Sequence, residues 1–272
     1  CCGRNTIAAA IRSLVAVTPG VSMGGTLPYG RRIGVAAATG GVGTSVVALG
    51  LARILALARS APVQYLSFEP QPVTDLYFTE KDSGNSPIRR TGNDLLYYLH
   101  RGIDSLQAVT VPDCLLRDAW GVTSLRPGYG GNEWATVPPG LGESALATAA
   151  ALGGAERTVV DFSLAGTETS RWLYATCDPL VVVHDGSETA RMKNARGLER
   201  LEAEDSRAPG VRQLIVHNKW RPADLQPGKE DECCTEWDPE SFRSNGGRIQ
   251  IGLDRSFGIG VGRIIAELDL DG

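Results

Sequence analysis

The 272-residue sequence predicts an α/β domain in three layers, with a mainly parallel central sheet between two layers of helices. Short apolar runs of strand length alternate along the chain with longer helix-like stretches, which is typical of such sheets. Hydrophobic residues make up 42% and charged residues 21% of the chain, enough to bury one large core. We expect one domain over residues 31–272, preceded by an extension or the remnant of an upstream region over residues 1–30.

The first strand, loop and helix are the most informative part of the sequence. An apolar stretch that ends at Ala38 predicts a buried strand, and residues 39–43 include three glycines that allow a tight turn. A long apolar helix is predicted over residues 44–57. Such a turn brings backbone N–H groups and a helix N-terminus to one point, which attracts phosphate. A turn with a purely structural role is the alternative.

Further apolar strands are predicted along the chain, over residues 62–68, 158–161, 180–184 and 214–219. His184 and His217 are expected to end buried strands at the edge of the sheet where ligands bind. With no nucleophile or paired carboxylate in view, neither histidine is assigned a catalytic role.

The glycine-rich segment resembles the deviant Walker A loop of the ParA/MinD family, whose members are SIMIBI-type P-loop NTPases with a Rossmann-like fold. The family pattern is Lys-Gly-Gly-x-Gly-Lys-Ser/Thr, and the resemblance implies that ATP with Mg²⁺ is the ligand. Two positions depart from the pattern. Thr39 replaces the signature lysine that reaches across a dimer, and Thr44 replaces the lysine that binds the β- and γ-phosphates. The loop residues that the resemblance assigns to the cofactor are Gly40, Gly41, Val42, Gly43, Thr44, Ser45 and Val46.

The two substitutions predict a degenerate loop with weak or no ATPase activity, because both lysines offset charge that grows in the transition state. A homodimer is expected to be insensitive to ATP, since Thr39 is too short and uncharged to reach the partner's nucleotide. An active ATPase that draws a cation from elsewhere, such as Lys219 or a dimer partner, is the first alternative. A nucleotide-free interaction module is the second.

The resemblance extends to later residues. Glu69 stands for the family's second aspartate, which positions the attacking water, and Ser67 replaces the first. Asp161 corresponds to the Walker B aspartate, which would hold Mg²⁺ through water together with Ser45. Asn218 precedes Lys219 where the family has Asn-Arg or Asn-Lys, so Asn218 is the candidate adenine contact.

Three segments are similar to the TadZ/CpaE branch of the family, which localises pilus machinery. They are residues 121–128, the tripeptide that begins at Asn132, and residues 251–257. The resemblance covers about residues 31–268 and implies a localisation or assembly factor for Tad/Flp-type pilus or secretion machinery, with pilus or secretion proteins as partners.

Charge and hydropathy limit the partners. The net charge is -4 without a dense basic cluster, so nucleic-acid binding is not expected. The apolar stretch over residues 6–17 contains Arg12 and is too short to span a bilayer, and the C-terminus lacks a basic amphipathic helix. We expect a cytoplasmic protein that does not insert into membranes and is recruited to the cell pole or inner membrane face by partners.

The six cysteines do not predict a metal site. Cys1-Cys2 and Cys233-Cys234 are adjacent pairs without Cys-x-x-Cys spacing, and Cys114 and Cys177 are isolated. Residues 221–248 are rich in Pro, Gly, Asp and Glu, which predicts a long surface excursion where a partner could dock.

Overall fold

The structure is a computed structural model that describes residues 31–78, 90–101, 114–204, 212–221 and 233–268. The predictions for residues 1–30, including the helix-like stretch over residues 6–17 and Cys1-Cys2, lie outside these ranges. So does the C-terminal end at residues 269–272.

Within the described ranges, the central sheet contains eight strands. They are β1 (Arg31–Ala37), β2 (Val63–Ser67), β3 (Leu115–Arg117), β4 (Val122–Leu125), β5 (Arg157–Ser163), β6 (Leu180–His184), β7 (Gln213–Trp220) and β8 (Cys233–Glu236). Their spatial order is β3-β4-β2-β5-β1-β6-β7-β8, and each neighbouring pair is parallel except β3 and β4. The predicted mainly parallel sheet is therefore confirmed.

Helices cover both faces of this sheet. They are α1 (Thr44–Arg59), α2 (Thr74–Tyr77), α3 (Gly92–His100), α4 (Pro139–Gly153), α5 (Glu168–Thr176), α6 (Glu188–Glu204) and α7 (Ser256–Glu267). One hydrophobic core lies between the sheet and the apolar sides of α1 and α7, and a second contains apolar residues of α3, α4 and α5. The two cores give the predicted three-layer arrangement.

The central strand β1 contributes to both cores. Ile33 and Val35 belong to the core under α1, whereas Ala36 belongs to the opposite one, as the alternation of side chains along a strand requires. A Cβ atom at Gly34 would lie 2.9 Å from atoms of both Cys177 and Leu180. Glycine at this position therefore allows the segment before β6 to approach β1 closely.

A short hairpin lies outside the central sheet. Strands β9 (Phe242–Asn245) and β10 (Arg248–Ile251) pair antiparallel, and a 3₁₀ turn over Pro239–Ser241 precedes them. The prediction of a surface excursion over residues 221–248 is wrong for β8, which belongs to the central sheet and whose Thr235 is fully buried. The hairpin residues 243–247 are exposed, as that prediction requires.

Most predicted boundaries differ from the observed ones by one or two residues. The strand predicted to end at Asp161 continues to Ser163, and the one predicted to end at Ala38 ends at Ala37. His217 does not end its strand, because β7 continues to Trp220. The strand predicted over residues 180–184 is confirmed at both ends.

Candidate functional site

The residues predicted from the sequence meet at one edge of the sheet. Strands β1, β2, β5, β6 and β7 run parallel, so their carboxyl ends lie side by side. The glycine-rich loop follows β1, and Asp161 of β5 is in register with Val35 on one side and Ser67 on the other. Asn218 approaches the same loop from β7.

The loop has the backbone shape that its glycines predict. Gly41 and Gly43 have φ angles of 81° and 93°, in the left-handed region that favours glycine. Helix α1 begins directly afterwards at Thr44 without a side-chain cap, so its first N–H groups are not used by a capping side chain. Cβ atoms added at Gly40 or Gly41 would have no neighbour within 4 Å, which leaves open space beside the loop. Such uncapped amides are the donors that a phosphate group needs.

Neither position that departs from the family pattern offers a positive charge. The Thr39 hydroxyl oxygen is buried and has no hydrogen-bond partner among the described residues. A lysine does contact the loop from elsewhere in the chain: the Lys219 ammonium donates a hydrogen bond of 2.6 Å to the Gly41 carbonyl oxygen. The Asn218 side-chain amide donates to the next carbonyl, that of Val42, at 2.7 Å.

Asp161 lies fully buried beneath the loop. Its Oδ2 accepts hydrogen bonds from the Tyr65 hydroxyl at 3.0 Å and from the Ser67 hydroxyl at 3.4 Å. Burial raises the pKa of Asp161 to about 6, while hydrogen bonds from Ser45, Tyr65 and Ser67 act in the opposite direction. Its Oδ1 is buried without a partner among the described residues. An unsatisfied carboxylate oxygen, on a residue whose carboxyl group also contacts Ser45, fits the oxygen ligands that Mg²⁺ prefers.

Glu69 follows β2 at the same edge. Burial, followed by the nearby charge of Asp161, raises the pKa of Glu69 to about 7. Asn132 fixes the segment that carries Glu69, because its side-chain amide donates to the carbonyl oxygens of both Ser67 and Glu69, each at 2.8 Å. Asn132 therefore positions the backbone at Glu69.

The two strand histidines pack against each other. The rings of His184 and His217 are buried, with centroids 5.0 Å apart and planes inclined by 28°. His184 Nδ1 accepts a hydrogen bond of 2.9 Å from the Gly186 N–H, so this ring supports the turn after β6. Within the described residues, no group of three or more His, Cys, Asp and Glu side chains is arranged to hold a metal ion. Cys114 and Cys177 are buried in the packed interior.

Several residues of the site could not be found from the sequence. Tyr65 lies among apolar neighbours in β2, and nothing in that pattern marks its contact with Asp161. Asn194 of α6 links the first loop residue to β6: it accepts from the Ala38 N–H and donates to the Val183 carbonyl. Thr235 donates a hydrogen bond of 2.6 Å to the Asn218 side-chain oxygen. Each contact joins residues distant in sequence.

The parallel sheet, the loop after β1 and the flanking helices define the fold of the ParA/MinD-type P-loop NTPases. A ParA-family ATPase from Chlorobium tepidum matches with a TM-score of 0.57 at 17% identity, covering 89% of this chain and 97% of that one. The cell division ATPase MinD of Pyrococcus furiosus matches with a TM-score of 0.53 at 14% identity, covering 89% of this chain and 98% of that one. A Borrelia burgdorferi protein assigned to plasmid partition and bound to AMPPNP also has a TM-score of 0.53, at 11% identity and with coverage of 89% and 98%.

No protein-family model matches the sequence, and no curated protein matches it. The structural matches therefore establish the fold. Within the described residues, no helix is both long and apolar enough to cross a membrane.

Proposed function

We propose that the protein is a ParA/MinD-like localisation or assembly factor with a degenerate nucleotide site. One observation carries the proposal: the loop keeps its glycine backbone above a buried Asp161, while threonines occupy both lysine positions. The backbone supports phosphate binding, and the missing side chains are those that accelerate hydrolysis. The protein would bind ATP weakly and hydrolyse it slowly or not at all.

In this proposal each part of the site has a defined role. The amides of residues 40–46 would hold the phosphates, and Ser45 and Asp161 would hold Mg²⁺, which would neutralise phosphate charge. Glu69 would orient water for whatever hydrolysis remains, and Asn218 is the candidate base contact. The Borrelia protein crystallised with AMPPNP supports the choice of an adenine nucleotide.

The partners and their recruitment of the protein rest on the sequence similarity to the TadZ/CpaE branch, whereas the ATP-independent dimer rests on Thr39 and the cytoplasmic location on the pattern of residues 6–17. We propose pilus or secretion assembly proteins as partners, an ATP-independent homodimer, and a cytoplasmic location with recruitment to the cell pole or inner membrane face. Direct binding to nucleic acid or insertion into the membrane is not part of the proposal.

An active ATPase is the second candidate, because Lys219 does contact the loop. Its ammonium group binds a carbonyl oxygen of the loop, whereas a cation that assists hydrolysis must face the phosphates. This geometry favours the degenerate site.

Steady-state hydrolysis of Mg-ATP tests the proposal. We expect a rate at or near background for the wild-type protein. A rate of about 1 per second or faster would contradict the proposal if Ser45→Ala or Asp161→Ala abolished it. Ser144→Ala, which changes an exposed hydroxyl on α4, is the matched control and should leave the rate unchanged.

A further inference from the structure

Strand β7 contains a bulge at Lys219. Asn218 pairs with Thr235 and Trp220 pairs with Glu236 of β8, so Lys219 is an extra residue without a partner in that strand. Its φ angle is +61°, and among the described residues the only other non-glycine with a positive φ is Ser60. Ser60 caps the end of α1, where this conformation is common. Lys219 does not end a helix, and a lysine in this conformation is strained, so the surrounding structure must hold it there.

The bulge directs two successive side chains at the same loop. Successive side chains of a regular strand point to opposite faces, and a bulge changes that direction. Here Lys219 donates to the Gly41 carbonyl at 2.6 Å, and Asn218 donates to the Val42 carbonyl at 2.7 Å. The Thr235 hydroxyl donates to the Asn218 oxygen, which orients the amide nitrogen towards the loop.

These two bonds fix the direction of the loop amides. In a planar trans peptide the C=O and the following N–H point in opposite directions. With the carbonyls of Gly41 and Val42 held by β7, the N–H groups of Val42 and Gly43 point away from β7. The approach is close: a Cβ atom at Gly43 would lie 2.2 Å from the Asn218 amide nitrogen.

We infer that Asn218 and Lys219 form a carbonyl clamp, which sets the loop in its phosphate-binding shape before any ligand arrives. Lys219 is then a positioning residue, and it brings a positive charge to a loop that has no lysine of its own. The ligand is the phosphate chain of a nucleoside triphosphate, a choice that rests on the proposed function. The clamp acts in the ligand-free protein, which separates its test from that function.

Hydrogen exchange of the loop, measured without ligand at the Ala38 and Val47 amides, tests the clamp directly. These two amides flank the loop and have acceptors, Asn194 Oδ1 and the Gly43 carbonyl oxygen, so they report when the loop opens. Lys219→Met should accelerate their exchange by about tenfold, the size expected for one lost charge-assisted bond. Lys219→Arg keeps the charge and donors and should restore slow exchange. Lys193→Met, at an exposed lysine of α6, is the matched control and should change nothing.

Lys219→Gly distinguishes a clamp formed by Lys219 from a role of this residue in the stability of the fold alone. Glycine adopts the left-handed conformation without strain, so the free energy of unfolding should not fall. Loop exchange should still accelerate, because the ammonium group is lost. Unchanged loop exchange in both Lys219→Met and Lys219→Gly would overturn the clamp.

Titration with inorganic triphosphate measures the consequence for binding. If the wild-type protein binds it, Lys219→Met should bind about tenfold more weakly, and equal affinities would overturn the role of the clamp in ligand binding. If the wild-type protein binds no triphosphate, the proposed function fails, while the exchange data still decide whether the clamp shapes the loop.

Discussion

Replacing Asp161 with asparagine should stabilise the protein at neutral and alkaline pH. The carboxylate is fully buried, with one oxygen unsatisfied among the described residues, and burial raises its pKa from 3.8 to about 6. In the unfolded chain the same group ionises near its ordinary pKa. Folding therefore becomes less favourable as the pH rises from the unfolded to the folded pKa, and the penalty stays constant above the folded value.

The size of the effect follows from this shift. About two pKa units at 1.36 kcal/mol per unit correspond to about 3 kcal/mol. Asparagine has nearly the same shape and can still accept the bond from the Tyr65 hydroxyl, so the variant should gain about 1–3 kcal/mol at about pH 8. Below about pH 3 the carboxyl group is neutral in both states, and the two proteins should be nearly equal.

Urea denaturation of both proteins across this pH range, with metal ions removed by a chelator, measures the difference. Asp118→Asn is the matched control, because Asp118 is also buried but forms an ion pair of 2.8 Å with Arg53. Breaking that pair should destabilise the protein by about 3–5 kcal/mol. An Asp161→Asn variant that is less stable than wild type at about pH 8, or a difference that does not vary with pH, would refute this reasoning.

Three further predictions concern the loop, the dimer and the edge strand. Gly43→Ala should destabilise the protein by about 1–3 kcal/mol in the same denaturation assay, because φ is 93° and the new Cβ would lie 2.2 Å from Asn218. A variant as stable as wild type would show that the loop changes its conformation without cost. Sedimentation should give the same dimer fraction with and without Mg-ATP, since Thr39 cannot reach a partner's nucleotide, and dimerisation only on adding nucleotide would contradict this. Burial, with the neighbouring Cys234 adding to it, raises the pKa of Cys233 to about 11. Its thiol should therefore react slowly with iodoacetamide near neutral pH and faster in urea, as measured by mass spectrometry of the labelled peptide. Rapid labelling of Cys233 in the folded protein would contradict this.

The sequence predicted the elements whose signal is local. The strand–loop–helix unit around Gly43 and strand β6 have long apolar runs or clustered glycines, and the structure has both. Strands β3, β4 and β8 were missed because they have only three or four residues, too few to show a period. Predicted site residues Ser45, Glu69, Asp161 and Asn218 lie at one sheet edge, as the order of the strands implies.

The contacts that shape the site could not be predicted from the sequence. The bulge at Lys219 depends on pairing with β8, which was itself missed. Asn132 contacts a segment more than sixty residues earlier in the chain. Such contacts arise from tertiary packing, for which a single sequence carries no periodic signal.

Calorimetric titration of Mg-ATP into the wild-type protein and Thr44→Lys tests the central claim most directly. The claim is that the loop backbone still binds phosphate and that the missing lysines limit the affinity for ATP. Both proteins should then bind, and Thr44→Lys should bind more tightly by about 1–3 kcal/mol, since the new charge lies beside the β- and γ-phosphates. No binding by either protein would show that the loop no longer receives phosphate. Equal affinities would show that the missing cation at residue 44 does not limit binding, and either result would contradict the account.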